Sequence, residues 1–397
     1  MTENIIKILK QAYEERLFTS ATLAVQYPDG GPHFFTASDE GTIYVPKLTK
    51  SITKIHDVAS VTKFLLSMLF YRLMTIRKDL VNELLAPGIN GKPLAKEAFA
   101  RAKAIKNFHP ESRVSDFMFI GGSFSNNLLV RHLLNFHAEF NLFMKPDEII
   151  KHNLKTLIDQ LRNIGFVTTP GLEHKYRNAH SILLGVLLEH VYGEPLEVLF
   201  QKHLIEPLGL SSTTTNPSGM LHRTMLSSHD VPLGKVHDPV ARMALVESRL
   251  IGSAGLFSSA QDLMKVVNVI LNNGYIGLTT EEPFILPFWI HYLHKEENPE
   301  RKFASGMAYW ERFRDNLEHL NPTPVRDGLF KSGTTGSAVV AFREIGAGYA
   351  LTTDFLAVPR TVDELEKAKK MRSALYLLIG QSVISTSKYM ILEGSAK

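Results

Sequence analysis

Three serine–lysine pairs in this 397-residue sequence have the spacing at which a hydroxyl and an amine can act together. They are Ser51 with Lys54, Ser60 with Lys63, and Ser385 with Lys388. Only the second pair opens a long apolar run, VTKFLLSMLF, which predicts a helix. In the first turn of a helix, residues i and i+3 share a face, so the amine of Lys63 would reach the hydroxyl of Ser60.

This spacing is typical of a nucleophile with its own base. The N-terminus of a helix carries partial positive charge, which favours a developing anion and disfavours a protonated lysine. Burial lowers the pKa of a lysine further, and a neutral Lys63 could then take the proton of Ser60. The alternative is a serine that caps the helix beside a solvent-exposed lysine, and the motif taken alone favours that alternative.

A second motif is Tyr176-Arg177-Asn178. Among the twelve tyrosines, only Tyr176 is followed two positions later by asparagine, and a helix is predicted directly after it. A tyrosine near a cationic lysine can relay the proton of a leaving group, and the Asn178 amide could hold a substrate carbonyl. The alternatives are a loop tyrosine with a helix-capping Asn178, and a rival pair, Ser125 and Asn127, whose neighbours are typical of an exposed turn.

A third motif, Lys331-Ser332-Gly333-Thr334, leads into a predicted strand. A lysine at the edge of a sheet would attract a substrate carboxylate, and Gly333 would allow the backbone to approach closely. The N–H groups of Thr334 and Ser60 could stabilise an oxyanion together. The alternative is an ordinary glycine-rich turn before a strand.

The composition excludes several classes of function. Without cysteine the chain has no disulfides, no thiolate nucleophile and no zinc–thiolate site. The net charge of +4 is scattered along the sequence, which argues against a nucleic-acid partner. Residues 1–17 predict an amphipathic helix rather than a signal peptide, and the longest apolar run is shorter than the roughly 20 residues that cross a bilayer. We therefore expect a cytoplasmic protein with no membrane partner.

The elements that must position these motifs are strands near both ends of the sequence and helices between them. Residues 21–27 and 32–38 predict a hairpin, and late strands are predicted at 336–344 and 346–355. Helices are predicted at 3–17, 56–74, 126–136, 146–164, 178–193, 195–208, 259–274 and 361–384.

This order predicts an α+β fold, with an antiparallel sheet flanked by the terminal helices plus an inserted helical lobe. The sheet lobe would comprise residues 1–64 and 250–397, and the helical lobe residues 65–249. We interpret residues 76–125, which Pro, Gly and Asn interrupt, as an irregular or inserted segment. The motifs would meet in the cleft between the lobes.

The ordered triplet resembles the signature of penicillin-binding proteins and β-lactamases. Over residues 20–385 the chain is similar to the class C-like branch of that superfamily, which also holds D,D-peptidases, family VIII esterases and some acyltransferases. The segments that carry the resemblance include DVASVTKFLLSML, HKYRNAHSILLG and FKSGTTGSAVVAF. The resemblance implies a β-lactamase/transpeptidase-like fold.

The resemblance also implies roles for the first two motifs. Ser60 would be the acylated nucleophile, Lys63 its base or proton shuttle, and Tyr176 a proton-transfer group in both half-reactions. Asn178 would orient the acyl amide or ester. The partner would be a small-molecule acyl substrate, with no metal or organic cofactor.

For the third motif, the resemblance implies that Lys331 binds an acid group, with Ser332 and Gly333 beside the substrate. The backbone amides of Ser60 and Thr334 would form the oxyanion hole. The chain departs from the family pattern at Arg177, where a small residue is usual. It also departs at NFHAEF (135–140), where a turn with His, Ser and Gly is usual.

Three functions remain open at this point. The first is a serine hydrolase that acts through an acyl-serine on an ester, a β-lactam or a D-amino-acid amide. The second is an acyltransferase on the same scaffold, and the third is a non-catalytic binding protein that retains the cleft. The oligomeric state is unknown from sequence.

Overall fold

A large antiparallel sheet forms the centre of the computed structural model, which describes residues 2–28, 30–45, 53–86, 96–141, 153–277, 281–294, 303–310, 325 and 328–394. The strands of this sheet are β1 (Ala21–Gln26), β2 (His33–Ser38), β3 (Gly41–Val45), β6 (Phe303–Ala304), β7 (Met307–Tyr309), β8 (Gly328–Ser332), β9 (Ala338–Phe342) and β10 (Ala347–Thr353). Two further short strands, β4 (His56–Asp57) and β5 (Phe257–Ser258), form a separate pair. The eight strands of the sheet lie in the order β3-β2-β1-β10-β9-β8-β7-β6.

Helices cover the sheet and fill the middle of the sequence. Within the described ranges the α-helices are α1 (Thr2–Glu14), α2 (Thr62–Thr75), α3 (Arg77–Leu85), α4 (Lys96–Asn107), α5 (Val130–Leu134), α6 (Leu154–Asn163), α7 (Asn178–Tyr192), α8 (Leu196–Phe200), α9 (Pro239–Val246), α10 (Ala260–Leu271), α11 (Pro287–Leu293) and α12 (Val362–Gly394). A 3-10 turn, Ala59–Val61, leads directly into α2.

The two ends of the chain meet in the sheet, because β1 pairs antiparallel with β10 and Leu23 faces Leu351. Alternate residues of a strand point to opposite faces. Leu23 lies in the core cluster of α1 and α12, whereas the next residue, Ala24, lies in the cluster that contains α10. The sheet is thus covered on both faces, and the predicted α+β fold with flanking terminal helices is confirmed.

Helix α2 lies at the centre of the fold, since all its residues except Arg72 and Thr75 are buried. A helix that is apolar on all sides belongs inside a protein. In the described part of the chain, no single helix is long and apolar enough to cross a membrane. One joined pair, Ala59–Thr75 and Arg77–Leu85, has the length and composition but is bent by 59°.

The predicted hairpin and both late strands are observed as β1–β2, β9 and β10. The interpretation of residues 76–125 as irregular is wrong for α3 and α4, and their interpretation as an inserted segment stays a prediction. Of the helix predicted at 146–164, residues 146–152 lie outside the described residues and the remainder forms α6. The division into lobes at residues 64 and 250 stays a prediction.

Candidate active site

Ser60 and Lys63 are in hydrogen-bond contact at the start of α2. The Nζ of Lys63 donates to the Oγ of Ser60 at 2.8 Å and to the backbone oxygen of Ser253 at 2.8 Å. Ser60 is half-buried, whereas Lys63 is 1% exposed. A serine that capped α2 beside an exposed lysine would not have this geometry, so the simpler interpretation of the motif is wrong.

The environment of Lys63 favours its neutral form. Burial lowers the pKa of Lys63 to about 8, and although Tyr176 raises this pKa, the charge of Lys331 lowers it. An ammonium group is strongly hydrated in water, so its transfer into the protein interior favours loss of the proton. Near neutral pH, an appreciable fraction of Lys63 can therefore accept a proton from Ser60.

Tyr176 and Lys331 form the second contact of the site. The Nζ of Lys331 donates to the hydroxyl oxygen of Tyr176 at 2.9 Å. The Tyr176 ring lies close to both amines, with its centroid 4.2 Å from the Nζ of Lys331 and 5.3 Å from that of Lys63. Burial lowers the pKa of Lys331 to about 7. Residues from α2, from the loop before α7 and from β8 thus converge on one phenol.

The backbone at Arg177 explains which side chains of the second motif face together. Arg177 is extended, with φ −141° and ψ 147°. Successive side chains of an extended segment point to opposite sides, so we expect Asn178 on the side of Tyr176 and Arg177 on the opposite side. Asn178 is the first residue of α7 and is exposed, and its role toward a substrate stays a prediction.

The third motif packs against the turn that carries Ser60. Ser332 ends β8 and is half-buried, Gly333 is buried and Thr334 is exposed. A Cβ at Gly333 would overlap the Val58 carbonyl oxygen, so the two segments approach closely only with glycine there. The assignment of the Ser60 and Thr334 N–H groups to an oxyanion hole remains a prediction.

Asp57 is a residue of the site that sequence reasoning missed. One carboxylate oxygen accepts a bond of 2.8 Å from the Ala59 N–H, and the other accepts one of 2.7 Å from the His237 N–H. The Asp57 carbonyl accepts a bond of 2.6 Å from the hydroxyl of Thr335. Ala59 has φ +44°, a conformation that is costly for a residue with a side chain. Asp57 therefore supports the strained turn before Ser60.

The rival serine does not take the place of Tyr176. Ser125 lies in a 3-10 turn, Ser125–Asn127, and is buried, while Phe124, Asn126 and Asn127 around it are exposed as predicted. Lys331 instead contacts Tyr176. A separate open groove of about 900 Å³ lies between α4 and the end of α7 and contains none of the motif residues. We place the site at the motif residues because the reactive groups meet there.

Histidine does not add a metal centre to the described part of the chain, where no group of three or more His, Cys, Asp or Glu side chains could hold an ion. The Nδ1 of His180 lies 3.2 Å from the backbone oxygen of Arg177 in the second motif. Burial lowers the pKa of His180 to about 3, so this histidine is neutral near pH 7.

A family model and several named proteins match this sequence. The family model described as Beta-lactamase matches residues 19–369. Proteins named "Putative D-alanyl-D-alanine carboxypeptidase" from Salmonella paratyphi A and Escherichia coli O157:H7 are each 23% identical, over 266 and 262 residues. Each match covers 60% of this chain and only 56% of the relative.

Solved structures share the fold over most of the chain. EstCE1, a hydrolase with promiscuous acyltransferase activity, has a TM-score of 0.65 at 15% identity and covers 94% of this chain and 98% of its own. An octameric penicillin-binding protein homologue from Pyrococcus abyssi has a TM-score of 0.64 at 16% identity, covering 96% and 77%. A class C β-lactamase has a TM-score of 0.61 at 13% identity, covering 94% and 97%. The family match spans the site and most of the fold, and the chain belongs to the Beta-lactamase family.

Proposed function

We propose that this protein is a serine hydrolase that forms an acyl-serine intermediate on Ser60. The observation that carries the proposal is the 2.8 Å contact between the Nζ of Lys63 and the Oγ of Ser60, with the Lys63 amine buried. A hydroxyl next to a neutral amine is an activated nucleophile. Membership in the Beta-lactamase family supports the same chemistry.

In the acylation step, neutral Lys63 accepts the proton of Ser60 while the Oγ bonds to the acyl carbon. The N–H groups of Ser60 and Thr334 stabilise the oxyanion that forms. The bond to the leaving group then breaks, and Tyr176 passes its proton to the departing nitrogen or oxygen. Tyr176 regains a proton from protonated Lys63, which becomes neutral again. Lys331 attracts an acid group of the substrate.

In the second half-reaction, water attacks the ester carbon of the acyl-serine. The Tyr176 hydroxyl, hydrogen-bonded to Lys331, gives its proton to neutral Lys63 as it takes one from that water, and protonated Lys63 then returns a proton to the Oγ of Ser60 as the ester bond breaks. The carboxylic acid leaves and the enzyme is restored. Tyr176 is 37% exposed, which supports the access of water to this residue.

The proposed substrate is a small molecule with an ester, a β-lactam or a D-amino-acid amide. The names of the relatives support the amide class, and EstCE1 is described as a hydrolase. An acyltransferase would share the acyl-serine but deliver it to an alcohol or amine. Product analysis with a competing alcohol distinguishes the two outcomes.

Pre-steady-state hydrolysis of p-nitrophenyl butyrate tests the proposal. We expect a burst of p-nitrophenol equal to the enzyme concentration, absent in Ser60→Ala. Ser385→Ala is the matched control, because Ser385 has the same spacing to a lysine but is exposed on α12, and it should retain the full burst. A non-catalytic binding protein would give no burst in any of the three proteins.

A further inference from the structure

The segment that departs from the family pattern, residues 135–140, and Leu134 directly before it connect the two sides of the site. Toward the Tyr176 loop, the Phe136 carbonyl accepts a bond of 2.9 Å from the Lys175 N–H, and the His137 carbonyl accepts one of 2.8 Å from the Gly171 N–H. Toward the turn between β6 and β7, the Leu134 carbonyl accepts a bond of 2.8 Å from the Gly306 N–H. The segment thus fixes the loop that delivers Tyr176.

Phe136 occupies a strained position in this segment. Its φ is +54°, and its side chain is 0% exposed. The left-handed region costs a residue with a side chain about 1–2 kcal/mol, which burial of an aromatic ring does not by itself require. Residues that keep such strain cluster at functional sites.

The ring of Phe136 lies close to both the Tyr176 ring and the Lys331 amine. Its centroid lies 4.7 Å from that of Tyr176, and the planes are inclined by 54°. It also lies 5.5 Å from the Nζ of Lys331, which is 4.2 Å from the Tyr176 ring. Two aromatic rings therefore flank one ammonium group, and aromatic faces attract cations.

These contacts answer how Lys331 is held. Within the described residues Lys331 forms no ion pair, and the hydroxyl of Tyr176 is its hydrogen-bond partner. A carboxylate partner would hold the amine, but its negative charge would offset the positive charge of the ammonium group and compete with an anionic substrate. Aromatic rings orient an ammonium group without cancelling its charge.

We propose that Phe136 is a positioning residue that holds the Lys331 amine and the Tyr176 phenol in register for proton transfer and for binding of the substrate's acid group. The inference rests on the proposed acyl-serine function. Phe136 itself touches no reacting atom, and it acts through the two residues that do.

The test compares Phe136→Leu with Phe140→Leu. Phe140 lies in the same segment, is also buried and, like Phe136, contacts His180, but its ring packs on Phe166. Both changes remove one buried ring and keep an apolar side chain, so they should lower the thermal unfolding temperature alike. We expect the acylation rate constant to fall about tenfold in Phe136→Leu, from one lost cation–π contact, and to change less than about threefold in Phe140→Leu. Equal losses in the two variants would overturn the proposal.

A readout independent of activity separates this inference from the proposed function. In protein with 13C-labelled lysine, the ring currents of the flanking aromatic rings displace the ε-methylene signal of Lys331 upfield, and Lys331→Arg assigns that signal. We expect the signal to move downfield in Phe136→Leu and to stay in place in Phe140→Leu. A signal that stays in place in Phe136→Leu contradicts the positioning role, whatever the acylation rate of that variant. Absence of acylation in the unmodified protein would instead contradict the proposed function.

Discussion

Gly333 packs directly on Val58, the residue two positions before the candidate nucleophile. A Cβ at position 333 would overlap the Val58 carbonyl oxygen and lie 3.2 Å from the Cβ of Ala59. The glycine of the third motif is therefore required by the close approach of two backbones, one carrying Ser60 and the other Lys331. This close approach constrains the distance between the Ser60 hydroxyl and the Lys331 amine.

Gly333→Ala should separate these segments. We expect the acylation rate constant to fall at least about 100-fold, because a displacement of about 1 Å at reacting groups costs that much. The burst assay with p-nitrophenyl butyrate measures it. Gly219→Ala is the control, since a Cβ at Gly219 meets nothing within 4 Å, and it should acylate normally. Normal acylation in Gly333→Ala would contradict the predicted contact.

The pH dependence of the acylation rate constant should show the buried amines of Lys63 and Lys331 titrating as a pair. Burial lowers the pKa of Lys63 to about 8 and that of Lys331 to about 7, and interacting groups lose their protons in shared steps. Acylation needs one neutral amine as base and one ammonium group, so its rate constant should rise from about pH 6 and decline above about pH 8.

Lys331→Arg tests this assignment, because arginine keeps its charge throughout this pH range. The decline at high pH should disappear, while the rise at lower pH should remain because Lys63 must still lose its proton. Stopped-flow acylation from about pH 5 to about pH 10 measures both limbs. A decline with an unchanged midpoint in Lys331→Arg would show that Lys331 does not cause it.

Burial of the Lys63 amine should lower the free energy of unfolding. Its pKa falls from 10.5 to about 8 on folding, so the unfolded state binds the proton more tightly. The penalty is fully present below about pH 8 and disappears above about pH 10.5, and at about 1.4 kcal/mol per pKa unit it reaches roughly 3 kcal/mol.

Lys63→Met should therefore raise the free energy of unfolding at pH 6 by about 1–3 kcal/mol, less the cost of two lost hydrogen bonds. Urea unfolding at pH 6 and pH 10 measures the change, which should be smaller at pH 10. The exposed Lys388 provides the control, and Lys388→Met should have little effect at either pH. Destabilisation by Lys63→Met at pH 6 would show that the amine is better solvated than its burial implies.

Asp57→Asn tests the support of the turn before Ser60. An amide has one acceptor oxygen, so its NH2 group would face the N–H of Ala59 or of His237. We expect a loss of stability of about 1–3 kcal/mol and an acylation rate constant about tenfold lower. Asp116→Asn, at an exposed position, should leave both unchanged. Wild-type acylation in a destabilised Asp57→Asn protein would limit Asp57 to a structural role.

Local spacing made the contact between Ser60 and Lys63 possible, because residues i and i+3 share a face of a helix, but taken alone it favoured a capping serine beside an exposed lysine. The order of the three motifs along the sequence favoured the catalytic interpretation. The burial of Lys63 depends on the packing of α2 at the centre of the fold, which the spacing does not show. The convergence of Tyr176 and Lys331 on that pair depends on tertiary packing, and the family resemblance, rather than spacing, indicated it.

Other features of the site could not be read from the sequence. Nothing in the identity of Asp57 shows that its carboxylate bonds two separate N–H groups, nor does the letter at position 59 show a left-handed alanine. Phe136 gave a partial signal, because NFHAEF was recognised as a departure from the family pattern. Its ring contacts with Tyr176 and Lys331 depend on three segments far apart in the chain.

The acyl-serine intermediate is tested most directly by mass spectrometry of the protein quenched during turnover with p-nitrophenyl butyrate or penicillin. We expect a mass increase of one acyl group, located by peptide mapping on Ser60 and absent in Ser60→Ala. An adduct on another residue, or hydrolysis that persists in Ser60→Ala, would contradict it.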